Sequence, residues 1–148
     1  MTEIDFHFNV PAPRSYACRL VRKALRSGAS VTVTGPGDEL DALDRELWSF
    51  EAEDFVPHAH VGRAAEVPAS LHAATVWLAG EPEAAPRHDV LVNVGDATPR
   101  GFQAFRRLIE IVSTGDAERT SARGRWKAYA SRGYPIRSHA VGAEAGPP

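Results

Sequence analysis

Ile4-Asp-Phe-His-Phe-Asn-Val10 and Ser30-Val-Thr-Val-Thr34, with a basic amphipathic stretch between them, decide the fold. The first segment alternates apolar and polar residues and reads as a strand, ended by Pro11 and Pro13. Ser15 can cap a helix over about 16–27, with Ala17, Val21, Ala24 and Leu25 on its apolar face and Arg19, Arg22, Lys23 and Arg26 on the others. Gly28 follows as a C′ glycine. The second segment is short and β-branched. A strand, a helix and a strand in this order call for a parallel pair joined by a crossover.

Working outward, Gly35-Pro-Gly-Asp38 is a turn whose aspartate can cap a helix to about Trp48, with Leu40, Leu43, Leu47 and Trp48 on its apolar stripe. Glu51 to His58 is an irregular connector leading into Ala59-His-Val61, and Pro68 to Ala73 is a further loop. Ala74–Ala79 and Asp89–Val94 read as strands, the latter with the continuous apolar run of a strand buried on both faces. Asp96-Ala-Thr-Pro99 is a helix-start signal, and Phe102, Phe105, Leu108, Ile109 and Val112 fit one face of a helix over about 100–114. Gly115-Asp116 breaks and recaps the chain before a last helix. The expectation is a single three-layer α/β/α, Rossmann-like domain with a largely parallel sheet over 1–134, followed by a flexible tail over 135–148.

Composition narrows the function. With 148 residues, 43% hydrophobic and 24% charged, the chain is long enough for one domain with a real core. No apolar run spans a membrane, and Met1-Thr-Glu-Ile-Asp-Phe6 lacks the pattern of a secretory signal. The single cysteine, Cys18, excludes an internal disulfide and fits a reducing cytoplasm. The net charge of −2 conceals an asymmetry: eight anions against one cation over 38–55, but nine cations against four anions over 99–148. That is the pattern of local electrostatic recognition, since a protein that coats nucleic acid is usually basic overall.

Catalytic sets are missing. His58 and His60 share one face of a short strand, but the remaining histidines are scattered, so no metal site is expected. Cys18 sits mid-helix among core residues and reads as a small buried hydrophobe. Gly35 and Gly37 invite a phosphate-loop reading, yet the glycine fingerprint and a following Lys are absent, and anions crowd the helix start. A nucleotide-binding α/β enzyme using this loop is the alternative function. No cofactor is expected.

The last helix carries the strongest signal. In Arg119-Thr-Ser-Ala-Arg-Gly-Arg-Trp-Lys-Ala-Tyr-Ala-Ser-Arg132, helical spacing places Arg119, Arg123, Trp126, Lys127 and Ala130 on one face. Cations and an indole on one stripe suit a ligand both anionic and apolar. The same pattern also fits a surface helix whose Trp126 packs inward while the arginines stay solvated. Gly124 within this helix costs about 1 kcal/mol relative to alanine.

Taken in order, Leu43-Asp-Arg-Glu-Leu-Trp48, Asp54-Phe-Val-Pro-His58, Asp89-Val-Leu-Val-Asn93, Arg123-Gly-Arg-Trp-Lys-Ala-Tyr129 and Arg132-Gly-Tyr134 resemble the chi subunit of bacterial DNA polymerase III. The resemblance runs from about residue 4 to 134. It implies a non-catalytic accessory subunit of the clamp loader, cytoplasmic, with two binding faces and mainly indirect contact with nucleic acid. By the family's pattern, Lys127, Trp126, Arg123 and Val112 receive the acidic C-terminal tail of single-stranded DNA-binding protein, and Arg119 lies beside them. The family usually has tyrosine where Trp126 stands, which alters the pocket's depth. The second face, at Trp48, Phe55, Val56 and Pro57, docks a psi subunit, and a repair helicase is implied at the same surface. Core packing remains an equal reading for Trp48.

Overall fold

The structure is a computed structural model and describes residues 1–49, 58–61 and 76–141, without the side chains of 48–49 and 58–61. Seven strands form one sheet: β1 (Glu3–Val10), β2 (Val31–Thr34), β3 (His58–Val61), β4 (Val76–Ala79), β5 (Val90–Asn93), β6 (Arg107–Ser113) and β7 (Ile136–Ala140). Their spatial order is β3-β4-β2-β5-β6-β1-β7, and every pairing is parallel. Helices α1 (Pro13–Arg26) and α2 (Gly37–Ser49) pack on one face, and α3 (Asp116–Ser131) on the other. This is the three-layer α/β/α architecture expected from the alternation of strands and helices.

Buried side chains sort by strand parity. Val31, Val33, Val76, Leu78, Val92, Ile109 and Ile111 face α1 and α2, where Leu40, Leu43 and Leu47 meet them. Ile4, Phe6, Leu91, Leu108 and Val112 face α3 with Phe102, Phe105 and Tyr129. The ends of α1 follow backbone chemistry. It starts at Pro13, not after Ser15, with Ala12 at the N-cap. Proline at the first helical position has its φ preset and no N–H to leave unpaired. The helix closes in a Schellman turn: Gly28, at φ 85°, donates to Leu25 O, and Ala29 donates to Ala24 O. Asp38 lies inside the first turn of α2, which begins at Gly37, so it favours the helix dipole without occupying the cap.

Two expectations give way. The helix over 100–114 is a short 3-10 turn, Phe102–Ala104, followed by β6. The five apolar residues named for that helix are all buried, Ile109 least so at 7% exposed, but a turn plus a strand buried on both faces achieves this. Residues 135–148 are not wholly a tail, because β7 pairs with β1 in continuous register from Ile4↔Ile136 to Phe8↔Ala140. Ile136 joins the apolar cluster under α3, and Arg137 reaches Asp5 across the sheet.

Candidate binding site on the last helix

Gly115 is the N-cap of α3, and Asp116 and Glu118 in the first turn suit the positive end of the helix dipole. Ala122, Arg125 and Tyr129 point inward and are buried. One step around from Arg125, Trp126 is half-buried. Its ring lies 5.0 Å from Phe6 and 6.2 Å from Phe8, both on β1. Beyond Trp126 on the same flank stand Arg119, Arg123 and Lys127, all exposed, with exposed Ala130 among them. None of the three cations forms a hydrogen bond or ion pair with a described residue, whereas many surface cations of this chain do.

The structure therefore brings Arg119, Arg123, Trp126 and Lys127 onto one flank of α3, above β1 and the edge strand β7. Val112 belongs to a different place. It lies on β6, not at the end of a helix, is 2% exposed, and its visible edge faces the crevice at the carboxyl end of the strand. The two readings of Trp126 both hold in part, since one side of the ring seals the core and the rest meets solvent beside the cations.

Sequence reasoning missed the opposite flank. Glu110, fully buried on β6, accepts hydrogen bonds from Tyr129 Oη at 2.6 Å and Asn93 Nδ2 at 2.9 Å. Arg125 Nε lies 3.2 Å from Glu110 Oε2, close enough for charge pairing though misaligned for a hydrogen bond. Its Nη1 instead donates to Asp96 O and Ser121 Oγ, each at 2.7 Å. Burial pushes the Glu110 carboxyl above its ordinary range, which the Arg125 charge and the hydrogen bonds of Tyr129 and Asn93 offset only in part. Burial, and then the charge of Glu110, pushes the Tyr129 phenol up as well. A lone Glu inside Leu108-Ile-Glu-Ile-Val112, matched by Arg125 and Tyr129 one helical turn apart, was the available signal.

A second missed cluster lies on the other face of β1. Asp5 is fully buried, bonded by Arg107 at 2.7 Å and Arg137 at 3.0 Å, with His139 Nε2 3.7 Å away. Burial pushes the Asp5 carboxyl up, but the hydrogen bond and charge of Arg107, then those of Arg137, outweigh it and hold the group below its ordinary value.

The remaining candidates carry little chemistry. Two open crevices of about 650 and 700 Å³ run along the carboxyl ends of the strands, where cofactors of such sheets usually sit. The first is lined by Asp38, Glu39, Glu46, Asp96 and Glu118 against Arg14 and Arg125, and both arginines are engaged, Arg14 with Glu39 at 2.7 Å. Phosphate would be repelled there. Gly35 has a steric explanation: a Cβ on it would come within 2.8 Å of Val94 Cγ2, where two loops cross. The Cys18 thiol is buried and pushed up to about 12, chiefly by burial and then by the charge of Glu46, so it stays protonated. Among the described residues no group of three or more His, Cys, Asp or Glu could hold a metal ion, and no helix is long and apolar enough to cross a membrane. The Trp48 side chain and Phe55, Val56 and Pro57 lie outside the described residues.

Known proteins resemble this chain over most of its length. The family model described as "DNA polymerase III chi subunit, HolC" matches residues 1–137. The DNA polymerase III subunit chi of Pseudomonas aeruginosa is 35% identical over 144 residues, 94% of this chain and 96% of that protein. Those of Haemophilus influenzae and Escherichia coli are each 29% identical over 127 residues, covering 85% and 84% of this chain and 85% and 83% of theirs. Among solved structures, the helicase domain of Pyrococcus furiosus Hef superposes with a TM-score of 0.55 at 14% identity, over 81% of this chain and 28% of that one. That likeness speaks for the fold alone.

Proposed function

Because this chain belongs to the DNA polymerase III chi subunit family, and so to the machinery of DNA replication, we propose that it bridges single-stranded DNA-binding protein to the clamp loader without chemistry of its own. The acidic, apolar-ended C-terminal tail of the binding protein docks on the outer flank of α3. Lys127 and Arg123 take its carboxylates, with Arg119 beside them, and the open part of the Trp126 ring receives its terminal hydrophobic residue. The chain works in the cytoplasm. A psi-like clamp-loader subunit docks at the surface carrying Trp48, Phe55, Val56 and Pro57, where a repair helicase competes for the same residues.

One observation carries the tail reading. Three exposed cations without a partner among the described residues stand beside a half-buried indole, on a helix whose buried arginine is engaged with Glu110, Asp96 and Ser121. Val112 is too covered to wall the pocket and contributes by supporting the cluster beneath Trp126.

Calorimetric titration with a short aspartate-rich peptide ending in Pro-Phe tests it. Micromolar binding that weakens with salt is expected, together with a loss of about tenfold or more in Arg123→Ala plus Lys127→Ala. Undiminished binding by that variant sinks the assignment. The acidic crevice speaks against the nucleotide-binding alternative, so thermal shifts with ATP, NAD and flavin should be flat.

A further inference from the structure

The sheet ends at β7. On one side β7 pairs with β1, and among the described residues no strand pairs with the other side. In a parallel ladder alternate residues direct both backbone groups to the same neighbour. Pro135 O accepts from Ile4 N at 3.0 Å and Val141 N donates to Phe8 O at 2.9 Å, so the odd-numbered residues from 135 to 141 serve β1. Ile136, Ser138 and Ala140 therefore turn their N–H and C=O groups outward. The register is unbroken along β7, and no proline lies inside it.

Natural edge strands are commonly blunted by a charged side chain projecting over the edge. Here the long polar side chains lean the other way. Arg137 reaches back over β1 to Asp5 at 3.0 Å, and His139 approaches the same carboxylate at 3.7 Å. On the α3 side, Ser138 and Ala140 are exposed and small, and they pair with Phe6 and Phe8, the two rings that Trp126 rests on. The open edge thus runs beside the flank bearing Arg123, Trp126 and Lys127, with Arg137 and His139 on its other face.

We propose that an acidic extended peptide adds to β7 as an eighth strand. Backbone bonds to Ile136, Ser138 and Ala140 would hold its path, and alternate side chains would face Arg123, Lys127 and Trp126. The occupant follows from charge: on its α3 side the edge runs beside Arg123 and Lys127, exposed cations with no partner among the described residues, while Arg137 on the other face is already shared between Asp5 and Glu3. The identity of the peptide rests on the reading of the α3 flank given above; its mode of binding is the new element.

Single N-methylation along the aspartate-rich peptide ending in Pro-Phe separates the two ideas. Strand addition predicts a period-two pattern, with about tenfold weaker binding at alternate amides and little change between them. On the protein, Ser138→Pro removes an outward N–H without a ladder bond to β1 and should weaken binding about tenfold, whereas Ser138→Ala should not. Amide exchange at 136, 138 and 140 should slow in the complex. If the parent peptide binds but the methylation scan is flat and those amides stay unprotected, strand addition is overturned and the α3 site survives. If the parent peptide does not bind, both fall. Should sedimentation show a concentration-dependent dimer that Ser138→Pro abolishes, the edge belongs to a second copy of the chain, and the peptide is overturned as occupant. If Ser138→Pro does not fold, the methylation scan and exchange data decide alone.

Discussion

Arg123 and Arg125 stand two residues apart in sequence and roughly 200° apart around the same helix, and their surroundings are opposite. Arg125 is 6% exposed, charge-paired with Glu110 and bonded to Asp96 O and Ser121 Oγ. Arg123 is exposed and bonds to no described residue. The flank of α3 toward β5 holds the helix on the sheet, and the flank toward β7 is left for a ligand. A basic helix therefore cannot be read by counting its cations; what matters is which of them a buried carboxylate already claims.

Removing the engaged arginine should produce the largest effect. Arg125→Met strands Glu110 in the core, and breaking one side of a buried ion pair typically costs about 3–5 kcal/mol. Arg123→Ala should stay within about 0.5 kcal/mol of the parent. Urea unfolding of both variants makes the comparison, and near-equal losses would erase the distinction between the flanks. Replacing Glu110 by Leu together with Arg125→Met should recover most of the loss, because no charge is left unpaired.

The pH dependence of that gap sharpens the test. The folded pKa of Glu110 is raised above its ordinary 4.5, so the native state holds this proton more tightly than the unfolded chain. The stability this contributes is complete below 4.5 and is lost as pH rises through the folded value. Removing Arg125, whose charge lowers the Glu110 pKa, raises it further. The variant's stability then falls more steeply with pH, so the gap to the parent should narrow on acidification from pH 7 toward 4.5. Differences between the two proteins cancel the opposite contribution of Asp5, whose lowered pKa adds stability that is lost in acid.

Trp126 joins the two flanks, and its removal should register in both measurements. Its ring packs against Phe6 and Phe8 yet remains partly open. Trp126→Ala should cost about 2 kcal/mol, less than the loss of a fully buried indole, and should also weaken the acidic peptide. Trp126→Tyr, which keeps an aromatic ring at this place, should keep most of the stability and most of the binding. A stability loss with unchanged peptide affinity would confine Trp126 to the core.

The course of the chain was legible where local pattern and tertiary role agree. Alternation marked β1, the 3.6-residue stripe of Leu40, Leu43 and Leu47 marked the inner face of α2, and the spacing of Arg119, Arg123, Trp126 and Lys127 placed them on one flank. Phe102 to Val112 misled because its apolar spacing fits a helix as well as a turn followed by a strand. Only Glu110 distinguishes them, and its partners lie 15 and 19 residues later in Arg125 and Tyr129 and 17 residues earlier in Asn93. β7 was invisible for a related reason. Its five residues bury little, and what holds them is backbone pairing with β1 at the other end of the chain.

The smallest effect tests whether the outer flank is free of structural duty. Gly124 is exposed in the middle of α3, next to Arg123, and a Cβ built there meets nothing within 4 Å. Glycine inside a helix costs about 1 kcal/mol relative to alanine, through the greater backbone freedom of the unfolded chain. If no packing or ligand contact requires the glycine, Gly124→Ala should raise stability by about 0.5–1 kcal/mol in thermal or urea unfolding. Peptide affinity should stay as it is, because Arg123 and Lys127 keep their positions and the new methyl points into solvent. A stabilised variant that binds the peptide less well would mean that the ligand reaches around the helix to residue 124, and the recognition surface would then extend beyond the flank that faces β7.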